Sequence, residues 1–345
     1  MSADAAARRR RGLLAVLGVA SALLLLAGLA AGAEGWSVRG LSALLQGPDA
    51  GLIVGQIRAP RTLGAWLTGA LLGMAGALAQ GLFRNPLADP FLLGSASGAS
   101  LAVVVVLAAG ALFAPGVDTQ AAALRAAGML SQVGLVAAAF VGALGGVLLT
   151  LLLARGAQHT LRLLLAGVIV GVVLSALSDL LTIAVPEALR GRQVFMLGST
   201  GFLGWGSCAL LALGLALTLP LVMRLSRTLD ALVLGEDSAR SLGLALPQLR
   251  LWLVVLLAAA TGLAVSQAGL VAFVGLAAPH LVRRCAPGVH GYLLLASALA
   301  GAVLLLAADV VARTLIAPQE LPVGVLTAVF GGVYLLWLLQ RPREK

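Results

Sequence analysis

The side chains able to do bond chemistry are few and poorly spaced for it. His159, His280 and His290 have no cysteine or carboxylate at metal-ligand spacing, and Cys208 and Cys285 make neither a disulfide framework nor a metal site. The one lysine is Lys345, so no G-x-x-x-x-G-K-[ST] phosphate loop can exist. No nucleophile has an evident base beside it, which leaves an intramembrane enzyme unsupported. What remains is electrostatic chemistry. Gly171, Ser175, Ser178 and Thr182 share one helical face, with Asp179 beside it. Hydroxyls in lipid are costly, so this stripe faces protein or water and is the candidate lining of a transport pathway, with interhelical hydrogen bonding as the plainer reading. Arg58, Arg61 and Arg313 are candidates for docking an acidic partner through bidentate bonds, or for ordinary interfacial snorkelling.

The elements that position these residues are membrane spans. Hydrophobic residues make up 61% of the chain and charged ones 10%, against about 25% in a soluble domain. That composition indicates an all-α polytopic membrane protein. The 43 glycines lie among apolar runs, as close helix packing in lipid requires. The net charge of +10 is scattered and forms no continuous basic face, so nucleic acid is not indicated. Residues 13–33 make an apolar run longer than the roughly 7 to 15 residues of a signal-peptide core, and are read as a retained first span.

Further runs cover 62–83, 91–113, 129–154, 163–185, 194–223, 251–281, 293–311 and 321–339. The 251–281 run is too long for one crossing and short for two. Basic residues decide the matter, because they accumulate inside. If the run breaks near Ser266 to Gly269 into two short helices, there are ten spans with both termini cytoplasmic; sixteen of the 23 Lys and Arg then fall inside and seven outside. A single span leaves twelve against eleven, so ten spans are expected. The 345 residues read as a single transmembrane domain with a basic cytoplasmic segment at 1–12 and a charged inner loop at 224–250.

Within that loop lies the polar stretch Leu234, Gly235, Glu236, Asp237, Ser238, Ala239, Arg240, Ser241, Leu242 and Gly243. It predicts a two-turn helix with acidic residues at its positive end and Gly243 as its stop. So short a helix needs packing from elsewhere, and only Ala239 and Leu242 give it an apolar edge. It is expected to be held partly by another protein. On helix two, Ala65, Gly69, Gly73 and Ala77 form a small-residue packing ridge, and Gly142 and Gly146 do the same on helix four. The RNPLADP stretch after helix two predicts a tight inner turn.

Five stretches together, RAPR (58–61), GALLGMAGALAQGLFRNPLADPFLLG (69–94), LGEDSARSLG (234–243), GLVAFVGLAAPHLVRR (269–284) and DVVARTLIAPQELPVGVLTAVFGG (309–332), closely resemble the FecCD-type permeases. These are membrane subunits of bacterial ATP-binding-cassette importers for iron chelates, haem and cobalamin. The resemblance runs over nearly the whole chain and is weakest at the N-terminus and around 115–125. It implies a type II importer architecture in the inner membrane and pairing of two permease copies as a homodimer. The path then lies at the dimer axis, lined largely by helices five and ten. It further implies two ATP-binding subunits inside and a periplasmic substrate-binding protein outside. The chain would need no cofactor of its own, since ATP is bound by the partner subunit. By the same resemblance residues 234–243 match segments that seat in the ATPase, and Arg58, Arg61 and Arg313 match arginines that pair with the binding protein. An ion-gradient-driven transporter or channel is the alternative, with Asp179 and Asp309 as its best support.

Overall fold

The computed structural model of the chain describes residues 3–32, 35–36, 52–113, 129–157, 159–241 and 243–340. Its helices are α1 (Ala3–Ala30), α2 (Ala59–Phe83, entered through a π-helical turn at Ile53–Arg58), α3 (Ser95–Phe113), α4 (Met129–Leu153), α5 (Thr160–Ala184) and α6 (Glu187–Leu197). There follow α7 (Trp205–Val233), α8 (Glu236–Ser241), α9 (Leu246–Ala268), α10 (Val274–Cys285), α11 (His290–Thr314) and α12 (Val323–Gln340). Eight of these are long and apolar enough to cross a membrane. The shorter α10 and α12 are the candidates for the remaining two of the ten expected crossings.

Helix α2 is the centre of the bundle, and nearly every residue from Gly64 to Phe83 is buried. Its small-residue ridge explains how. A Cβ on Gly69 would collide with the Gly301 carbonyl, and one on Gly73 with the Ser297 carbonyl, so α2 and α11 touch backbone to backbone. Gly76 meets the Gly275 carbonyl of α10 in the same manner. A second close pair joins α3 and α4, where Gly98 faces Gly142 and Gly94 faces Gly146. Helix α1 packs on the outside of α2 and α11, with Leu24 and Leu25 against Ala65, Leu306 and Val310. Two side chains lock it there. Arg313 Nη1 donates to the Gly28 carbonyl at 3.0 Å, and Arg58 Nη1 to the Leu29 carbonyl at 3.1 Å. Those carbonyls belong to the unsatisfied last turn of a helix, where a guanidinium also complements the dipole.

The long apolar run at 251–281 breaks where expected, but not into two short helices. Helix α9 is a full 23-residue span that stops at Gly269, whose φ is 68°, and only α10 is short. Twelve helical residues climb about 18 Å, so the non-helical residues 269–273 make the rest of that crossing. The run at 194–223 was expected to be one span and is not. It divides between α6 and α7, because Gly198, with φ 66°, and the following Gly201 and Gly204 interrupt the helix. The two breaks repair each other. Leu270 N–H donates to the Phe195 carbonyl at 3.0 Å, and Ser199 N–H to the Ala268 carbonyl at 2.8 Å. Irregular backbone within a membrane protein must find such internal partners. Gly324, at the start of α12, presses on the carbonyls of Leu197 and Leu270, so three chain breaks meet at one point.

Candidate functional site

At the inner surface, α7 runs 29 residues, about 43 Å, which exceeds the hydrocarbon core. Its inner end is tied to the bundle by Asp230, whose Oδ1 accepts the His290 N–H at 3.0 Å and lies 2.7 Å from His290 Nδ1. Asp230 thereby satisfies an orphan donor at the start of α11. The chain then turns at Gly235 (φ 104°), forms the six-residue α8, and turns again at Gly243 (φ 77°). Both angles belong to the left-handed half of backbone space that glycine tolerates.

Ala239 is fully buried against Ala231, Leu232 and Leu246, and it is the foot on which α8 stands. Ser241 Oγ donates back to the Asp237 carbonyl at 2.7 Å. Asp237, Ser238 and Ser241 are exposed, as is Leu234, at 67%. The expected two-turn helix is therefore present and short, with its polar side outward. Leu242, the second expected apolar contact, lies outside the described residues, and for Glu236 and Arg240 only the backbone is described. The RNPLADP stretch is the expected turn: Arg84 is left-handed (φ 49°), Asn85 Oδ1 accepts the Leu87 N–H, and Asp89 Oδ1 accepts the Phe91 N–H at 2.8 Å. Burial pushes the Asp89 carboxyl up to about 6, against the partial relief of that hydrogen bond.

At the outer surface the three arginines have partners within the chain. Arg313 is only 2% exposed; it pairs with Asp309 one turn earlier on α11 and reaches Thr62 Oγ1 at 3.3 Å. Arg61 bridges two carboxylates, with Nε 3.2 Å from Asp309 Oδ1 and Nη1 2.8 Å from both oxygens of Glu320. Thr200 Oγ1 donates to Asp309 as well. Asp309 is wholly buried, whereas the Glu320 side chain is 39% exposed, so the cluster runs from the core to the surface. Arg58 is turned toward the end of α1. Among the described residues, Arg61 carries its charge to an exposed carboxylate at the surface. Arg313 is a buried structural cation in this conformation. Sequence reading missed Thr62, Thr200 and Glu320; the i, i+4 spacing of Asp309 and Arg313 was the one local signal of the cluster.

The stripe on α5 divides. Ser178 and Thr182 are buried and bond their own helix, Ser178 Oγ to the Leu174 carbonyl at 2.9 Å and Thr182 Oγ1 to the Ser178 carbonyl at 3.0 Å. They line nothing. Gly171 and Ser175 instead open onto a groove with Gly94, Ser97 and Asp179, in which the Ser175 and Ser97 hydroxyls lie 3.2 Å apart. Asp179 pairs with Arg192 of α6. The rest of the outer face of α5 is apolar and exposed, including Val172, Leu180 and Ile183. Among the described residues no group of three or more His, Cys, Asp or Glu could hold a metal ion.

A model of the FecCD transport family matches residues 19–341. The hemin transport system permease protein HmuU of Yersinia pestis is 40% identical over 292 residues, covering 84% of this chain and 83% of that protein. The Fe(3+) dicitrate transport system permease protein FecD of Escherichia coli (strain K12) is 37% identical over 288 residues, 84% and 85% of the two chains. The vitamin B12 import system permease protein BtuC of Salmonella typhi is 40% identical over 292 residues, 84% and 83%. Among solved structures, a metal-chelate type ABC transporter in an inward-facing conformation superposes with a TM-score of 0.79 at 27% identity. The match covers 96% of this chain and all of that one.

Proposed function

This chain belongs to the FecCD transport family and is a multi-pass permease subunit of an inner-membrane ABC importer, and from that premise we propose how it is assembled and what it carries. Two copies form a homodimer with two ATP-binding subunits on the inner face and one periplasmic binding protein on the outer face. The cargo is an iron chelate, haem or cobalamin, the classes named for the relatives. The cargo path lies between the copies, along the α5 face that carries Gly171 and Ser175 and along α12.

The observation that carries the reading is the form of residues 234–243. A six-residue helix held by one buried alanine, between two glycine turns, presents its polar side to the cytoplasm. It is shaped as a plug for another subunit rather than as part of this core. ATP binding draws the two ATPases together and moves these plugs, and the attached helices alternate access to the path. The ion-gradient alternative loses its support, because Asp309 is held by Arg61, Arg313 and Thr200 and Asp179 by Arg192. A proton relay needs a carboxylate free to exchange.

Glu236→Arg places repulsive charge on the plug without touching the membrane core. ATP-driven uptake by reconstituted vesicles is expected to fall to background while insertion and folding are unchanged. Normal uptake would remove the coupling role, and uptake that survives loss of the ATPase but collapses with the proton gradient would restore the alternative.

A further inference from the structure

Between α10, α11 and α12 lies a narrow slot of about 350 Å³, in the size range of a small-ligand pocket. Its walls are almost wholly apolar: Phe273 and Leu281 from α10 and the residues before it, Leu304 and Ala307 from α11, Phe330 and Tyr334 from α12. Three helices of one chain wall it. A helix from another copy needs an interaxial space of about 8–10 Å, which a slot within one chain does not offer.

The inner end of the slot is different in kind. Tyr334 closes it, edge-on to His280 at 5.9 Å and beside Trp337 at 6.2 Å. The Arg284 guanidinium stands 5.5 Å over the Trp337 ring. Arg284 is exposed and makes no ion pair with a described carboxylate, whereas the half-buried Arg283 beside it is held by Gln80. His280 Nε2 is buried without a hydrogen-bond partner. An aromatic belt residue and an arginine at the inner boundary are ordinary anchors by themselves. Joined to an apolar slot that rises from them, they make a site with a cationic head and an oily tail. Positive-inside topology places that head at the inner leaflet, where anionic lipid is found.

We propose that the slot binds an anionic phospholipid of the inner leaflet, with one acyl chain between α10, α11 and α12 and the phosphate on Arg284 beside Trp337. The lipid fills the space that separates α12 from α10 and α11 and so sets the position of α12. Arg284 supplies the preference for an anionic headgroup, and the slot supplies retention.

The test uses the assembled transporter in nanodiscs of phosphatidylethanolamine with a fixed fraction of phosphatidylglycerol, followed by native mass spectrometry after mild delipidation. Wild-type complex is expected to keep phosphatidylglycerol several-fold above its share in the disc. Arg284→Gln should bring that ratio to the disc composition. Ala307→Phe, which fills the slot, should strip both lipids; Ala307→Leu serves the same purpose if the larger side chain prevents assembly. An unchanged ratio in Arg284→Gln, or retained lipid in both slot-filled variants, overturns the site. So does loss of the ratio from Arg341→Gln and Arg343→Gln alone, which would assign the preference to the basic tail. Copy-to-copy disulfide formation by Thr327→Cys overturns it too, because the occupant would then be a second permease.

Discussion

Asp309 is where most of the buried polar chemistry of this chain converges. One carboxylate, fully enclosed, is shared by Arg61, Arg313 and Thr200, which come from three different helices or loops. Breaking such a group is costly because it leaves a buried charge unpaired, typically about 3–5 kcal/mol. Asp309→Ala should therefore lower the thermal midpoint of the detergent-solubilised permease sharply, while Glu320→Ala, at the exposed end of the same cluster, should cost under about 1 kcal/mol. Asp89 makes a second, pH-dependent prediction. Its carboxyl titrates near 6 in the fold and near 3.8 in the unfolded chain. The fold binds that proton more tightly, so the contribution to stability is full below about pH 4 and is lost as pH rises through 6. Asp89→Asn keeps the acceptor for the Phe91 N–H and removes the charge. The variant should show a flat profile between pH 4 and 6 and gain roughly 1 kcal/mol at pH 7.5, less than the full ~3 kcal/mol of the shift because the side chain is partly open to water. At this scale the sequence disclosed which residues were unusual but not their partners. Arg61 and Glu320 are 259 positions apart. The periodicity put Gly171, Ser175, Ser178 and Thr182 on one face of α5, yet could not tell that Ser178 and Thr182 turn their hydroxyls back to their own helix.

Among the elements, the α2–α11 pair has the narrowest tolerance. Gly73 has the Ser297 carbonyl against it, so any side chain must push two central helices apart. Gly73→Leu is expected to destabilise by at least ~3 kcal/mol, at or beyond the usual range for overpacking, and to abolish a monodisperse peak in size-exclusion chromatography. Gly145→Ala on α4, with nothing near its Cβ, should be neutral or stabilising by under ~1 kcal/mol in the same assay. The four-residue spacing of small residues made this ridge readable before any coordinates. The division of residues 194–223 was not readable by hydropathy, because the last four residues of α6, Val194 to Leu197, are apolar and run on through a short glycine-rich link into the apolar start of α7. The signal lay in the glycines at 198, 201 and 204, which abundant packing glycines elsewhere in the chain disguised.

Across the whole molecule, the end of α7 that leads into α8 and the outer charge cluster lie at opposite ends of α11, which begins at His290 under Asp230 and carries Asp309 and Arg313 near its other end. If an acidic binding protein docks at the outer end, Arg61→Gln should weaken its affinity several-fold at low salt and flatten the salt dependence, measured by surface binding to nanodisc-held transporter. An unchanged salt slope would confine Arg61 to holding Asp309 and Glu320. Charge asymmetry favoured ten crossings over nine and set their expected direction, since that rule acts on the chain as a whole. Which copy count the assembly uses is not a property that one chain's hydropathy encodes. The meeting of Gly198, Gly269 and Gly324 bears on how such permeases diversify. Each backbone there is shaped against the other two, so the three segments form a single unit of inheritance although they are scattered over more than a hundred positions. Chimeras of related permeases should fail when one parent supplies residues 195–200 and another supplies 268–272 or 322–325, and recover when all three segments come from the same parent.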